Sequence, residues 1–302
     1  MKGNHGLFVG LTTLDCLYQA AHPPAADEKV VATKNLLVSG GPATNAAVAF
    51  AQLGGTKGNQ ATLVSAVGAH PITSLLREDL QAYGVTLSDL TPSRPLPPPV
   101  SSIVVSADTG ERAVVAGNAV DMQVAASQLS AEILQGIEVV LIDGHQMAVS
   151  AQVAQWANAQ NIPVVVDAGS WKPGFETVLD NADVVIASAQ FFPPECQTAT
   201  EVFGYLAKLG IQEMAITRGS APILYRGSAT SGEIDVPSIR AVDTLGAGDI
   251  FHGAFCHFHL AHTFEEALLK ASRSASFACQ YWGTRDWTSI YRMTDDDEED
   301  EA

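Results

Sequence analysis

The chain has 302 residues, 47% of them hydrophobic and 16% charged, a balance typical of a soluble globular protein with one large or two ordinary domains. Its apolar runs are shorter than the ~20 residues that a membrane-spanning helix needs, which argues against a membrane protein. The formal net charge is −17, or about −10 without the acidic tail TDDDEEDEA at 294–302, and so large an acidic excess disfavours nucleic acid as a partner.

The first ten residues, MKGNHGLFVG, lack the basic region, apolar stretch and cleavage site of a signal peptide. The four cysteines lie far apart in the sequence and form no C-x-x-C pair, a pattern typical of reduced thiols in a core. Both features predict a cytoplasmic protein. The cysteines are Cys16, Cys196, Cys256 and Cys279.

The N-terminal half alternates strand-like and helix-like segments. The helix at 42–55 is bracketed by Pro42 at its start and Gly55 at its end, and a Pro-rich hinge at 91–100 precedes a hairpin that turns at Asp108-Thr109-Gly110. The predicted elements are a strand at 6–15, the helix at 42–55, a strand at 61–68, a helix at 71–84 and the hairpin at 101–115.

The second half has a regular rhythm of strands and helical segments, which predicts a mostly parallel sheet covered by helices on both faces. Ligands bind such sheets outside the carboxyl ends of the strands. Predicted strands lie at 138–143, 162–167, 182–188 and 211–217. Several strands end in a polar residue, namely Asp15, Asp143, Asp167, Ser188 and Thr217.

The stretch AVDTLGAGDIFHGAF at 241–255 places three small residues between two aspartates and before an apolar helix. Free N–H groups and the dipole at a helix N-terminus make an anion site, and small residues let a phosphate approach the backbone. An aspartate in the first helical turn can accept the proton of a hydroxyl that attacks the phosphate. The alternative is an ordinary glycine turn in which the aspartate caps the helix.

The segment DTLGAGD resembles the C-terminal signature of the ribokinase-like (PfkB) carbohydrate kinases. A second segment, GGPATNAA at 40–47, resembles the N-terminal signature of that family, a glycine pair followed by Asn in a small-residue helix. The resemblance covers residues 6–290. It implies a three-layer α/β sandwich with a mostly parallel central sheet, helices on both faces and a small β lid.

The resemblance also implies roles for residues at the acceptor side. Asp249 corresponds to the catalytic base, and Gly246, Ala247 and Gly248 correspond to the anion hole. The hydroxyls of the sugar are expected to bind Asp15, Gly41 and Asn45.

On the donor side, the resemblance implies that Thr217 and Gly219 line the nucleotide phosphates, next to Asp243 and Thr244 of the C-terminal signature. The resemblance implies ATP as the phosphoryl donor and Mg²⁺ as its metal ion, and it leaves a requirement for a monovalent cation open. Residues 1–293 form the expected kinase domain and 294–302 a disordered tail. The segments 20–39 and 100–116 form the expected lid, which in relatives often makes a homodimer contact.

The metal ligands stay unassigned. The family often has Asn-x-x-Glu after a mid-sheet strand, but Ser188 and Phe191 stand in those places here and Glu195 comes too late. Four residues of the helix after GAGD have metal-compatible spacing, although packing is the favoured interpretation. They are His252, Cys256, His259 and His262.

The sequence therefore predicts an ATP-dependent kinase of a small sugar, of the pentose or ketohexose class. A nucleoside is disfavoured because the lid segments carry no aromatic residue that could clamp a base. A phosphorylated sugar stays open because Lys29, Lys34 and Arg112 lie in the lid segments. A catalytically quiet relative that binds a sugar or nucleotide is the other alternative, and the intact Asp249 favours the enzyme.

Overall fold

The computed structural model describes residues 3–55, 58–117, 119 and 122–291. The acidic tail predicted at 294–302 lies outside these residues. Within the described part of the chain, no helix is both long and apolar enough to cross a bilayer. Each of the four cysteines is a free thiol, as expected from their spacing.

A nine-stranded sheet forms the centre of the molecule, in the order β13-β12-β11-β10-β9-β8-β1-β4-β5. Every neighbouring pair from β11 to β5 is parallel, and β12 and β13 add an antiparallel edge. The strands are β1 (His5–Val9), β4 (Gln60–Ser65), β5 (Val85–Asp89), β8 (Val139–Ile142), β9 (Val164–Ala168), β10 (Val184–Ser188), β11 (Glu213–Arg218), β12 (Ala221–Arg226) and β13 (Ser231–Ile234).

Seven α-helices lie among the described residues and cover both faces of this sheet. They are α1 (Pro42–Leu53), α2 (Thr73–Ala82), α3 (Met147–Asn158), α4 (Phe175–Leu179), α5 (Ala199–Lys208), α6 (Ala247–His259) and α7 (Phe264–Ala278). One core cluster joins α1, α6 and α7 to the sheet face that carries Ile186, and a second joins α3, α4 and α5 to the face that carries Val185. Successive residues of a strand point to opposite faces, so the two cores make three layers.

Local sequence signals explain where several helices begin. Pro42 occupies the first turn of α1, where its missing N–H costs no hydrogen bond. Both α5 and α7 begin with a capping box, in which Thr198 pairs with Glu201 and Thr263 with Glu266. The helix at Pro42 agrees with the one predicted at 42–55, and α5 is one of the helical segments expected to alternate with the strands of the second half.

A second, four-stranded sheet has the order β3-β2-β6-β7 and fits the predicted β lid. One face buries Leu17, Val38, Ile103 and Val105 against Trp282 of the C-terminal segment. Its strands are β2 (Thr13–Ala20), β3 (Lys34–Gly40), β6 (Val100–Ser106) and β7 (Arg112–Ala116), and β6 and β7 form the predicted hairpin.

The strand predicted at 6–15 is wrong in one respect, because the chain changes sheets within it. β1 ends at Val9 in the large sheet, and β2 begins at Thr13 in the small one. Between them, the Gly10 N–H donates to Val64 and the Leu14 N–H to Pro99, which marks the change of partner. Asp15 therefore lies within a strand of the lid sheet and does not end a strand of the large sheet.

Candidate active site

The N-terminus of α6 leaves backbone donors free. Gly246 precedes it with φ +70°, and a Cβ at this position would lie 2.8 Å from Thr284 Cγ2, which explains the glycine. The Ile250 N–H donates to the Gly246 carbonyl over 2.8 Å. Among the described residues, the N–H groups of Gly248 and Asp249 have no acceptor, and a Cβ on Gly248 would face open space. This turn can therefore accept an anion such as a phosphate.

Asp249 lies in the first turn of α6 and is held from the opposite helix. The Asn45 side-chain amide, in the first turn of α1, donates to the Asp249 carboxylate over 2.8 Å. Burial raises the pKa of Asp249, and the hydrogen bond from Asn45 lowers it in part. The two signature motifs, about 200 residues apart in sequence, thus meet at one carboxylate.

The Gly40-Gly41 turn before α1 is tightly built. Gly41 has φ +100°, and its α-carbon packs against the Leu11 carbonyl so closely that a Cβ would clash. Behind the turn, the buried Asp143 carboxylate accepts the N–H groups of Leu11 (2.9 Å) and Ala43 (3.0 Å). Burial alone would raise the pKa of Asp143, but His145 and these N–H groups hold it below its usual range.

Asp15 joins the same region from the lid sheet. It lies on the row of residues that contains Val38 and Ser101, and only 6% of its surface is exposed. Its carboxylate accepts the Thr13 hydroxyl over 2.6 Å and packs against the α-carbon of Gly40. Burial raises the pKa of Asp15, hydrogen bonds from Thr13 and Ser101 lower it, and the charge of Asp249 raises it again.

The predicted nucleotide residues are more widely spread. Thr217 is the penultimate residue of β11, which three strands separate from β1, and its hydroxyl donates to the Ala187 carbonyl over 3.3 Å. Gly219 lies in the turn that follows. Neither makes a hydrogen bond to the Asp249 turn.

Asp243 and Thr244 lie next to the Asp249 turn. Asp243 is buried, and its carboxylate accepts the N–H groups of Leu245 (2.9 Å) and Gly283 (3.0 Å), so it braces the loop. The Arg112 guanidinium of the lid strand β7 donates to the Thr244 hydroxyl (3.0 Å) and carbonyl (3.2 Å). This pair of hydrogen bonds joins the lid sheet to the C-terminal signature.

Three buried groups around the site were not among the predicted catalytic or binding residues. Asp167 is the penultimate residue of β9. Burial raises its pKa to about 6, the charge of His252 opposes this rise and the charge of Asp249 adds to it. His252 Nδ1 lies 3.6 Å from the Asp167 carboxylate and 2.7 Å from the Gly248 carbonyl. Arg285 contacts Asn45. The position of Asp167 at the polar end of a predicted strand could have indicated a site residue, whereas Arg285 belongs to no recognised motif.

The described residues do not supply a preformed metal site. They contain no group of three or more His, Cys, Asp and Glu side chains that could hold a metal ion. In the place of the family's Asn-x-x-Glu, the Ser188 hydroxyl donates to the Gly169 carbonyl over 2.6 Å, and Phe191 is buried in the core. No metal ligand is therefore assigned among the described residues.

Comparison with known proteins identifies the family. The model of the "pfkB family carbohydrate kinase" matches residues 7–289. The chain belongs to this family. It is a carbohydrate kinase, an enzyme that transfers a phosphoryl group to an alcohol group of a sugar.

Relatives of this carbohydrate kinase cover nearly the whole chain. It is 28% identical to ribokinase of Bacillus subtilis over 92% of this chain and 93% of that protein. It is 26% identical to the ATP-dependent ribose-1-phosphate kinase of Halopiger xanaduensis over 82% of each. The structure of Arabidopsis thaliana ribokinase with ribose and ATP superimposes with a TM-score of 0.76 at 22% identity, over 94% of both chains, which supports the same fold.

Proposed function

We propose that this carbohydrate kinase transfers the γ-phosphoryl group of ATP to a hydroxyl of a small sugar, of the pentose or ketohexose class. The observation that carries the proposal is the Asp249 carboxylate, which is hydrogen-bonded to Asn45 and adjoins two unpaired N–H groups at the start of α6. Two names support this substrate class: the relative from Bacillus subtilis is a ribokinase, and the ribokinase of Arabidopsis thaliana was solved with ribose and ATP.

At the acceptor side, Asp249 acts as the general base. The oxygen of a sugar hydroxyl forms a bond to the γ-phosphorus, and the bond between that phosphorus and the leaving ADP oxygen breaks. The proton of the attacking hydroxyl moves to the Asp249 carboxylate. Asp15, Asn45 and the Gly41 turn hold the sugar hydroxyls. Asp15 reaches the same space from the lid sheet, so the sugar would be held between the lid and the large sheet.

At the donor side, Gly246, Ala247 and Gly248 form the anion hole for the transferring phosphoryl group, since free N–H groups stabilise its charge. Thr217 and Gly219 line the nucleotide phosphates farther along the sheet. Thr244 borders the phosphates, and Asp243 acts from behind by holding the loop that carries the turn.

Mg²⁺ accompanies ATP in this proposal and neutralises charge on its phosphates. Mg²⁺ in kinases usually keeps several waters and needs one or two carboxylates in addition to the substrate phosphates. The absence of a preformed cluster among the described residues is compatible with that mode. Omission of Mg²⁺ from the assay, and replacement of K⁺ by a bulky organic cation, test the metal and the monovalent cation separately.

The substrate class is tested with the purified protein and Mg·ATP. ADP release is measured with a panel of pentoses, ketohexoses, nucleosides and sugar phosphates, and the Asp249→Asn variant is the matched control. A pentose or ketohexose that gives the highest kcat/KM supports the proposal. Preference for a nucleoside, or no sugar-dependent ADP release from any member, contradicts it.

A phosphorylated sugar is a second candidate acceptor. Arg112 projects from the lid to within 3.0 Å of Thr244, and its charge lowers the pKa of Asp249, so a cation lies near the acceptor side. The relative from Halopiger xanaduensis supports this class by its name. If the sugar phosphates of the panel are preferred, Arg112→Gln is expected to raise the KM for the sugar phosphate far more than that for the parent sugar.

A homodimer through the lid belongs to the same proposal. The outer face of the lid sheet exposes Leu37 (57%), Val115 (75%) and Tyr18 (40%), and the registers place Leu37 and Val115 on one row. A second copy of this sheet would cover them. Light scattering is expected to give a dimer that Leu37→Lys dissociates, whereas Leu96→Lys, at an exposed position outside the sheet, leaves it intact. A monomeric wild-type protein contradicts the dimer.

A further inference from the structure

Arg285 is a buried cation that reaches into the site from the C-terminal segment. Only 4% of its surface is exposed. One terminal nitrogen donates to Asn45 Oδ1 over 3.0 Å, and the other donates to the Ser39 carbonyl over 2.7 Å and lies 3.4 Å from the Asp79 carboxylate. The guanidinium therefore ties the end of β3 and the first turn of α1 to the segment that follows α7.

The contact with Asn45 fixes which way its amide points. A guanidinium can only donate hydrogen bonds, so the amide oxygen of Asn45 must face Arg285. The amide nitrogen then faces Asp249, to which it donates over 2.8 Å. With the amide turned around, two oxygens would oppose each other at Asp249, and an N–H group would oppose the guanidinium.

We propose that Arg285 is a positioning residue, which orients the Asn45 amide and through it the Asp249 carboxylate. This inference rests on the proposed function in taking Asp249 as the base. The chain of donors runs in one direction, from Arg285 to Asn45 to Asp249. Arg285 itself does not touch the sugar.

Burial of the Arg285 guanidinium costs free energy that a purely structural role would not explain. The Nε atom of Arg285 is buried and has no hydrogen-bond partner in the described structure, and a buried cation must overcome a large loss of hydration. An apolar residue could pack the same space without that cost. The orientation of Asn45 supplies a reason for a cation at this position.

Several charged groups face Asp249, and their effects on its pKa must be separated from the effect of the Asn45 amide. They are His252 on the same helix, Asp143 at the end of β8, Asp167 at the end of β9, Arg112 of β7 and Asp15 of β2. Arg285 acts on the pKa of Asp15 through its charge. The pKa of Asp15 therefore reports the charge at position 285, and the pKa of Asp249 reports the orientation of the Asn45 amide.

The decisive experiment titrates the aspartate carboxyl carbons of the ligand-free protein by NMR. The signals of Asp249 and Asp15 are assigned from the Asp249→Asn and Asp15→Asn variants. The test variants are Arg285→Met, which removes the donor and the charge, and Arg285→Lys, which keeps the charge but has no second donor arm. We expect the lysine to pair with Asp79, since the bond to a carboxylate is the stronger one.

In both variants the pKa of Asp249 is expected to rise by about one pH unit, because a hydrogen bond to the charged carboxylate is lost. The pKa of Asp15 is expected to rise in Arg285→Met and to stay unchanged in Arg285→Lys. Asp79→Asn is the matched control. It removes the ion pair of Arg285 but keeps Asn45 in place, so it lowers the melting temperature and leaves the pKa of Asp249 unchanged.

An unchanged pKa of Asp249 in both Arg285 variants would overturn the inference. A rise in Arg285→Met that Arg285→Lys abolishes would also overturn it, since charge alone would then explain the effect. If Arg285→Met does not fold, Arg285→Lys decides by the same criterion.

Kinetics on the sugar that the panel selects provide a second readout. The acid limb of kcat is expected to move to higher pH by the same amount in Arg285→Lys, and the KM for the sugar to rise at least threefold with that for ATP unchanged. If Asp249→Asn is fully active, the proposed base is wrong. The NMR titration still decides whether Arg285 orients Asn45, so the two failures are distinguishable.

Discussion

Replacement of Asp167 by Asn is expected to stabilise the protein at alkaline pH. Burial raises the pKa of this carboxyl from 3.8 to about 6, so the folded protein favours its neutral form. Such a group contributes stability below its unfolded pKa and loses that contribution as the pH rises through its folded pKa. Above pH 6 the ionised Asp167 is therefore a destabilising charge, which Asn removes.

The magnitude follows from the difference of about two pKa units. At 1.36 kcal/mol per unit, Asp167→Asn is expected to gain at most about 3 kcal/mol at pH 8 and about half of that at pH 5. The melting temperature is expected to rise by roughly 5 °C at pH 8, taking about 2 °C per kcal/mol for a domain of this size. Thermal melts and urea titrations at both pH values measure the two quantities.

Asp143 provides the matched control, because it directly follows the neighbouring strand β8 and its pKa is shifted in the opposite direction. Its pKa is held low by His145 and by two backbone N–H groups, so its ionised form stabilises the fold at neutral and alkaline pH. Asp143→Asn is expected to lower the melting temperature at pH 5 and at pH 8, and to cost less only as the pH falls below about 3.8, the ordinary pKa of an aspartate. Equal effects of the two variants, or a gain for Asp167→Asn that does not depend on pH, would refute the electrostatic reasoning.

Two further predictions concern the anion hole and the sugar. Gly248→Val is expected to lower kcat/KM for ATP at least tenfold while the melting temperature stays within about 2 °C, since its side chain would occupy only the open space proposed for the phosphate. Gly246→Val is expected to lose both activity and stability, because Gly246 has φ +70° and a side chain there would clash with Thr284. Equal stability of the two variants would contradict this assignment. Asp15→Ala is expected to raise the KM for the sugar roughly 5- to 150-fold and to leave the KM for ATP nearly unchanged, because a lost hydrogen bond leaves a buried partner unpaired at a cost of about 1–3 kcal/mol. An equal rise in both KM values would place Asp15 elsewhere.

The central architecture could be predicted because its signals are local. Buried runs such as VVIAS at 184–188 predict parallel strands, and the turns at Gly41 and Gly246 predict helix N-termini that can face a ligand. The three-layer sandwich and the helices after both signatures are confirmed.

The features that the sequence did not predict depend on tertiary contacts. Nothing local in 6–15 says that the chain leaves one sheet at Gly10 and enters another at Thr13. The edge strands β5, β12 and β13 were not predicted, since partly exposed edge strands lack a continuous apolar run. Arg285 contacts Asn45 across 240 residues of sequence, a distance that no motif spans.

The turnover of Asp249→Asn on the accepted sugar tests the central claim most directly. The substitution keeps the size of the side chain and an oxygen beside Asn45 but removes the proton acceptor. Its kcat is expected to fall by a factor of ~10²–10⁴, with the melting temperature and the Kd for ATP close to the wild-type values. A variant that folds, binds ATP and turns over at nearly the wild-type rate would contradict the proposed mechanism.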